Sequence, residues 1–154
     1  MAIMAYLLKE YSNESIDISR VMIMCLIHDI VEIEAGDTYA YDEDAKKTQQ
    51  EREEKAADHL FGMLPEDQQR ELRDIFEEFE RCDTSEAKFA RAMDNFQPLL
   101  LNDSNGGTDW QEHHVFRSQV NQRQNRTKLG SRILGEATDE ILNRNEERGT
   151  LKKG

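Results

Sequence analysis

Apolar side chains recur at helical spacing through most of this chain, and this periodicity restricts its fold more than any other feature. After Asp17, for example, they fall at positions 18, 21, 22, 25 and 26, which is the pattern of an amphipathic helix. Only 8 glycines and 2 prolines are present, and Glu, Lys, Arg, Ala and Leu, which favour helices, are abundant. A length of 154 residues is that of one ordinary domain. The sequence therefore predicts an all-α, single-domain protein.

Breaks in the pattern and capping signals predict where the helices lie. We expect helices over residues 1–11, 18–28, 43–64, 65–81, 85–100 and 108–120, then an interrupted helical pattern over 129–142. Thr108 and Gln111 match a capping box at the start of the sixth helix. The first helix is apolar nearly all round, which predicts that it is buried. Because it lacks a starting cap, we expect the natural helix to begin upstream of Met1.

An unusual combination of residues lies between Cys25 and Asp37, where an apolar helix carries a histidine followed by carboxylates. His28 and Glu32 are four residues apart and share a helical face, while Asp29 projects about 100° around the helix. Ionisable groups in an apolar run are costly to bury unless a metal, an opposite charge or a substrate compensates them. A histidine at the end of an apolar helix is nevertheless more often a satisfied core residue than a ligand, so both interpretations stay open.

Three motifs in a fixed order make the stretch more specific. They are His28-Asp29 followed by Glu32 and Gly36-Asp37, the junction Leu64-Pro65-Glu66-Asp67 with the helix ending Phe76-Glu77-Glu78-Phe79-Glu80, and Ser85-Glu86-Ala87-Lys88-Phe89 leading to Ala92-Met93-Asp94. In this order the chain resembles the HD-domain metal-dependent phosphohydrolases, and within them the small 5'-deoxynucleotidase-like group. The resemblance covers most of residues 1–101 and is weak beyond residue 107. It implies a helical HD fold, which we expect over residues 1–146, with 147–154 as a frayed tail.

The resemblance also implies a metal site. In that family a divalent cation is held by a histidine from an upstream helix, by the His-Asp pair and by a distant aspartate. His28, Asp29 and Asp94 correspond to the last three ligands, and we expect the first histidine, and an arginine used toward phosphate, before Met1. For Asp94 a salt bridge to Arg91 is the alternative. Mixed nitrogen and oxygen ligands suit Mn, Co, Fe, Zn or Mg without selecting one.

Roles for three carboxylates follow from the same resemblance. Glu32, together with Asp29, is implied to be catalytic, with Glu32 positioning or protonating around the attacking water. Asp37 is implied to contact a sugar hydroxyl of the substrate, although a carboxylate that only caps the loop is about as consistent with its position. The implied reaction is attack of a metal-bound water on a (deoxy)nucleoside 5'-monophosphate, which releases phosphate without a covalent enzyme intermediate. Hydrolysis of a cyclic or polyphosphorylated nucleotide fits the ligand pattern equally.

A second interpretation, from a different functional class, is a non-catalytic HD module that binds a nucleotide or a protein partner without turnover. The formal net charge of −12 opposes binding to a nucleic acid polymer, so we expect a small-molecule nucleotide as ligand. The apolar opening segment is too short for a membrane span, and two cysteines without a disulfide spacing indicate reduced thiols in the cytoplasm. The apolar first helix is compatible with a homodimer, which the resemblance also implies.

Several further residues have two interpretations each. Adjacent His113 and His114 diverge by about 100° on a helix, so a polar surface is favoured over a second metal site. His59 lies on a charged helix and is expected to face solvent. Three aromatic side chains either line a pocket or pack in the core, and the sequence does not separate these alternatives: Tyr39, Tyr41 and Trp110.

Overall fold

The computed structural model describes residues 1–42 and 44–153, except for the side chain of Lys46. Ten α-helical segments lie in these residues, with a 3-10 turn over Lys9–Tyr11 between the first two. They are α1 (Ala2–Leu8), α2 (Ile18–Ile27), α3 (Glu32–Ala35), α4 (Lys46–Gly62), α5 (Glu66–Arg81), α6 (Ser85–Ser104), α7 (Thr108–Glu112), α8 (Arg117–Gln124), α9 (Thr127–Gly130) and α10 (Arg132–Arg148). The predicted all-α class is confirmed. Glu43, where the sequence pattern placed the start of a helix, lies outside the described residues.

The central element is α6, which packs against α1, α2, α5, α8, α9 and α10. Neighbours on several sides become possible because small and large apolar residues alternate around this helix. Its buried apolar residues are Ala87, Phe89, Ala90, Ala92, Met93, Phe96 and Leu99. The helix starts at a cap in which the Thr84 hydroxyl accepts a hydrogen bond from the backbone of Ala87 at 3.2 Å. Asp94 lies in the middle of this helix and is therefore carried by the most enclosed element of the fold.

A buried carboxylate joins α2, α5 and the start of α6. Arg20 Nε donates to Glu78 Oε2 at 2.7 Å, and the Thr84 hydroxyl donates to Glu78 Oε1 at 2.6 Å. Burial opposes ionisation of Glu78, but these donors and the charge of Arg20 outweigh it and hold the pKa of Glu78 below its usual value. The carboxylate therefore stays ionised and fixes α2, which leads to His28, against α5 and α6.

Two expectations for the helices are wrong. The first helix is not buried all round, because α1 packs one face on α2 and α6 while Ile3 and Leu7 stay 76% and 66% exposed. The helix expected over 108–120 is broken between α7 and α8, where His114 has a φ of +54°. Trp110 and Val115 are both buried, and the chain must turn to bring both into the core. The capping box predicted at Thr108 does not form, because the N-cap of α7 is Gly107, which has no side chain to accept a hydrogen bond. At the start of α8 the backbone of Phe116 donates to the side chain of Gln119.

The predicted frayed tail differs from the structure as far as Lys152. After α10 the chain turns at Gly149, and the backbone amides of Thr150 and Leu151 donate to the carbonyl of Asn145. Leu151 is almost completely buried, and the carbonyl of Lys152 accepts a hydrogen bond from the backbone of Arg117 at 2.9 Å. The described C-terminal residues therefore contact the start of α8 instead of fraying.

Two further observations concern expectations about the cellular environment. None of the helices in the described ranges combines the length and the apolarity needed to cross a membrane. Cys25 and Cys82 are free thiols, of which Cys25 is buried.

We predict that Gly130→Ala destabilises the fold, because α9 lies directly on α6 at this residue. A Cβ at position 130 would lie 2.2 Å from the carbonyl oxygen of Lys88 and 2.8 Å from the Cα of Phe89, both backbone atoms. Forcing an extra group into such a contact costs about 1–3 kcal/mol of unfolding free energy. Equilibrium denaturation by urea measures it.

The matched control is Gly62→Ala at the end of α4, where a Cβ would meet nothing within 4 Å. We expect this change to be neutral or to stabilise by up to about 1 kcal/mol, since alanine is the better helix former. Equal effects of the two substitutions would contradict the close approach of α9 to α6.

Candidate functional site

The structure brings together the three side chains that the resemblance implied as metal ligands. His28 lies at the C-terminal end of α2, where the helix gives way to a turn, and its ring packs on Phe79 with centroids 4.9 Å apart. His28 Nε2 is 2.8 Å from Asp29 Oδ1 and 3.6 Å from Asp94 Oδ1. The imidazole is buried, whereas the Asp29 side chain is 64% exposed, so residues far apart in sequence, on α2 and α6, meet where the core opens to solvent.

The charges at this point stabilise one another. Burial disfavours the imidazolium form of His28, but hydrogen bonds and charges from Asp29 and Asp94 outweigh it and raise the pKa of His28 to about 9. Burial likewise disfavours the Asp94 carboxylate, while its contact with His28 and the charge of Arg91 hold the pKa of Asp94 below its usual value. Within the described residues, His28 Nδ1 is buried without a hydrogen-bond partner.

The salt bridge that was the alternative for Asp94 coexists with its contact to His28. Arg91 Nη1 donates to Asp94 Oδ2 at 3.2 Å, and Arg91 Nη2 donates to Glu80 Oε1 at 3.0 Å. The guanidinium also lies over the Phe79 ring, 3.9 Å from its centroid. Arg91 therefore binds Oδ2 of Asp94, which leaves Oδ1 directed at His28.

The donor set fits a divalent cation in its chemistry. One imidazole nitrogen and two carboxylates suit a first-row transition metal or magnesium, and they leave coordination positions for water or substrate. Within residues 1–42 and 44–153, however, no three or more His, Cys, Asp or Glu side chains are already arranged around a common ion position. A coordinating imidazole nitrogen would be deprotonated, so a cation held at His28 Nε2 would take the place of the contact between that nitrogen and Asp29.

Glu32 belongs electrostatically to the same group of charges. It is the first residue of α3 and is half-buried. Burial, followed by the charges of Asp29, Asp37 and Glu53, raises the pKa of Glu32 to about 7. A carboxyl group with this pKa exchanges a proton close to neutral pH, which is the property required of a general acid or base. The roles predicted for Glu32 and Asp37 stay predictions.

Asp37 is exposed and follows Gly36, whose φ of +77° turns the chain out of α3. It lines a small cavity of about 190 Å³ together with Tyr39, Tyr41 and Trp110. Of the two interpretations left open for these aromatic residues, the structure therefore supports the pocket for all three, although Trp110 is also buried in the core. The cavity provides aromatic surface beside the Asp37 carboxylate.

The other histidines do not assemble a second metal site within the described ranges. His59 faces solvent, as predicted, and its Nδ1 lies 2.8 Å from Glu34 Oε1. His113 is half-exposed, lies 3.7 Å from Asp109 and stacks on the Tyr39 ring with centroids 4.7 Å apart. The segment with His113 and His114 is thus mainly polar surface at the edge of the small cavity.

One positioning residue escaped the sequence analysis. Arg52 on α4 donates to the carbonyl oxygens of Ala35 and Gly36 and, at 2.7 Å, to the Thr38 hydroxyl. Its positive charge thus caps the C-terminal end of α3 and holds the loop that carries Asp37. Nothing in the sequence distinguishes Arg52 from the other charged residues of its helix, because only packing brings α4 against this loop.

We predict that Arg52→Ala loosens the segment from residue 34 to 42. Loss of the three hydrogen bonds that Arg52 donates removes its link between α4 and the end of α3, so the backbone amides there should exchange at least about tenfold faster. Hydrogen-exchange mass spectrometry measures this directly. Lys55→Ala on the same helix is the control, because Lys55 is exposed and pairs with exposed Glu51 on its own helix. Unchanged exchange in Arg52→Ala would contradict the positioning role.

Comparison with known proteins agrees with this arrangement. The HD-domain family model, of the type HD_3, matches residues 1–132. The 5'-deoxynucleotidase HDDC2 of Bos taurus is 35% identical over 100 residues, which are 65% of this chain and 47% of that protein. The human 5'-deoxynucleotidase HDDC2 is 33% identical over 100 residues, covering 65% of this chain and 48% of the relative. The matched segment thus spans about half of these curated relatives.

A solved structure gives the same result for the fold. The crystal structure of a protein described as a predicted metal-dependent phosphohydrolase from Magnetospirillum magnetotacticum MS-1 superposes with a TM-score of 0.92 at 44% sequence identity. The similarity covers 98% of this chain and 77% of that one. With His28, Asp29 and Asp94 assembled at the junction of α2 and α6, and a family model matched over residues 1–132, this chain belongs to the HD-domain family of phosphohydrolases.

Proposed function

We propose that this chain is a metal-dependent phosphohydrolase that releases phosphate from (deoxy)nucleoside 5'-monophosphates. The observation that carries the proposal is the convergence of His28, Asp29 and Asp94 beside a glutamate whose pKa is about 7. Membership of the HD family supports hydrolysis of a phosphoester, and the relatives named 5'-deoxynucleotidase support the nucleotide substrate.

His28, Asp29 and Asp94 would hold the divalent cation, which when bound neutralises phosphate charge and lowers the pKa of a water ligand. Manganese, cobalt, iron, zinc and magnesium all suit this donor set. The protein prepares the site by burying His28 and by fixing Asp94 through Arg91. These contacts hold two of the ligands in place before the substrate arrives, which reduces the reorganisation required during the reaction.

Glu32 and Asp37 act on the substrate side of the site. A Glu32 carboxylate with a pKa of about 7 accepts a proton from the attacking water at neutral pH and can return it to the departing nucleoside 5'-oxygen. Asp37, on the small cavity lined by Tyr39 and Tyr41, accepts a hydrogen bond from a sugar hydroxyl. The aromatic rings give the nucleoside an apolar surface beside that contact.

A non-catalytic nucleotide-binding module is the second candidate. The observation favouring it is that no three ligand side chains in the described part of the chain are already arranged around one ion position. Cyclic and polyphosphorylated nucleotides are alternative substrates within the enzyme class. We also propose a cytoplasmic location and a homodimer, the latter supported by the exposed apolar residues Ile3 and Leu7 on α1.

We predict that the full chain, supplied with Mn²⁺ or Co²⁺, releases phosphate from deoxynucleoside 5'-monophosphates and that Asp29→Ala abolishes the release. Asp29 lies 2.8 Å from the buried imidazole and is a proposed ligand, so its loss removes both the cation and the charge balance. Colorimetric phosphate detection measures the rate. Asp58→Asn is the control, since Asp58 is an exposed residue that pairs with Arg73 and has no proposed role in the site. Phosphate release that survives Asp29→Ala would contradict the proposed function.

Metal binding provides a separate prediction that does not need turnover. Mn²⁺ at 100 times its dissociation constant should raise the unfolding free energy of the wild-type chain by about 2.7 kcal/mol, because the ion binds the folded state. His28→Asn should lose most of this stabilisation, whereas His59→Asn, altered at an exposed histidine, should keep it. Thermal unfolding with and without chelator measures the effect. Equal stabilisation of all three proteins would contradict the assigned ligands, and no stabilisation of the wild type would favour the non-catalytic module.

A further inference from the structure

A large cavity of about 980 Å³ lies beside the ligand cluster, between α4, α5, α6 and α8. It reaches the cluster through Arg91 and Asn95, the first of which is bonded to Asp94. The wall formed by α8 comes from the segment beyond residue 107, where the sequence resemblance was expected to be weak but where the HD-domain family model continues to residue 132.

The opposite walls of the cavity differ in charge. Glutamates line the side formed by α4 and α5, and two arginines compensate several of them: Arg73 of α5 pairs with Glu54 and Glu77, and Arg91 of α6 pairs with Glu80. The side formed by α8 carries amides, Arg123 and, just after the helix, Arg126. Two of the four arginines that line this cavity therefore lie on or next to α8, whereas its glutamates lie on α4 and α5.

The arginines of the cavity also differ in their partners. Arg81 and Arg91 both form ion pairs with carboxylates. Across residues 1–42 and 44–153, by contrast, neither Arg123 nor Arg126 has an ion pair. Within the same residues, Arg123 Nε is buried without a hydrogen-bond partner, as is Arg91 Nε. A buried guanidinium donor without an acceptor is unfavourable, so an acceptor from outside the chain would satisfy it.

The backbone that carries Arg123 is fixed to α6 by the neighbouring residue. The next residue, Gln124, is buried and donates from Nε2 to the carbonyl oxygen of Asn95 at 2.7 Å, while its Oε1 accepts from the Thr127 hydroxyl at 2.8 Å. These bonds tie the end of α8 to the turn of α6 that carries Asp94. The charge of Arg123 is accordingly among those that hold the pKa of Asp94 low.

Arg123 also lies on the wall shared by both cavities. It lines the large cavity that reaches Asp94 through Arg91, and the small cavity that contains Asp37 and the aromatic residues. In a nucleoside monophosphate the phosphate is attached directly to the sugar. A cation between the proposed metal ligands and the proposed sugar contact therefore lies where a phosphate would be.

We propose that Arg123, assisted by Arg126, is the residue that binds the phosphate group of the substrate. This inference rests on the proposed function for the identity of the substrate. The planar guanidinium offers parallel donors that match two oxygens of a phosphate, and the contact is charge-assisted. Segment α8 thereby becomes part of the active site.

Titration with inorganic phosphate, followed by calorimetry in the presence and absence of Mn²⁺, tests the proposal on the full chain. Arg123→Gln should weaken phosphate binding by about tenfold or more, since it removes a charge-assisted bidentate contact. Arg126→Gln should weaken it less. Arg70→Gln, which alters an exposed arginine paired with Glu66 on α5, should leave it unchanged.

Arg123→Lys distinguishes recognition from a structural role. Lysine keeps the charge beside Asp94 but lacks the planar fork, so we expect intermediate phosphate affinity with unchanged circular dichroism and thermal stability. If Arg123→Gln fails to fold, Arg123→Lys alone decides the matter. Wild-type phosphate affinity in a folded Arg123→Gln or in Arg123→Lys, or no phosphate binding by the wild type, overturns the proposal.

The two hypotheses fail in different ways. If the wild type binds phosphate through Arg123 but releases none from nucleoside monophosphates, the proposed function fails and the anion site stands. If the wild type turns over substrate and Arg123→Gln changes neither phosphate affinity nor KM, only the assignment of Arg123 fails.

Discussion

The contact between His28 and two carboxylates is the interaction on which the site depends. An imidazole that is buried against Phe79 is stable there as a cation only because Asp29 and Asp94 compensate it. Asp94 is in turn oriented by Arg91, and the helix that leads to His28 is fixed by the buried Glu78. The packing of α2, α5 and α6 therefore serves to hold charged groups together in an apolar interior.

Charge is distributed in this chain so that an acidic protein can accept an anion. The formal net charge is −12, yet the cavity beside the proposed metal ligands has arginines on the wall formed by α8. Ion pairs on α4 and α5 compensate several of the neighbouring glutamates, and a bound cation would add further positive charge at His28, Asp29 and Asp94. The charges that line the cavity, rather than the net charge of the whole chain, therefore determine which ligand can enter it.

Local sequence signals predicted those parts of the fold that depend on local interactions. The helical class and the helix starts expected near residues 65 and 85 follow from residues within a few positions of each feature. Pro65 precedes α5, and the Thr84 hydroxyl caps α6. The break between α7 and α8 was missed, because it arises when Trp110 and Val115 are both drawn into the core. The burial of Leu151 was missed for the same reason: its neighbours lie on other helices.

The sequence by itself determined the helical fold, the family and the identity of the proposed ligands. The spacing of apolar residues and the ordered motifs around His28 and Asp94 are local features that can be recognised without knowing which helices pack together. Only the tertiary structure decided how these residues meet. It showed that Arg91 pairs with Asp94, that Arg52 holds the loop of Asp37, and that Arg123 faces the cavity. The physical reason is that an arginine's role depends on its partners, and these are chosen by packing between helices distant in sequence. Asp37, for which the sequence left a substrate contact and a loop cap equally open, lies beside a cavity that only the tertiary structure forms.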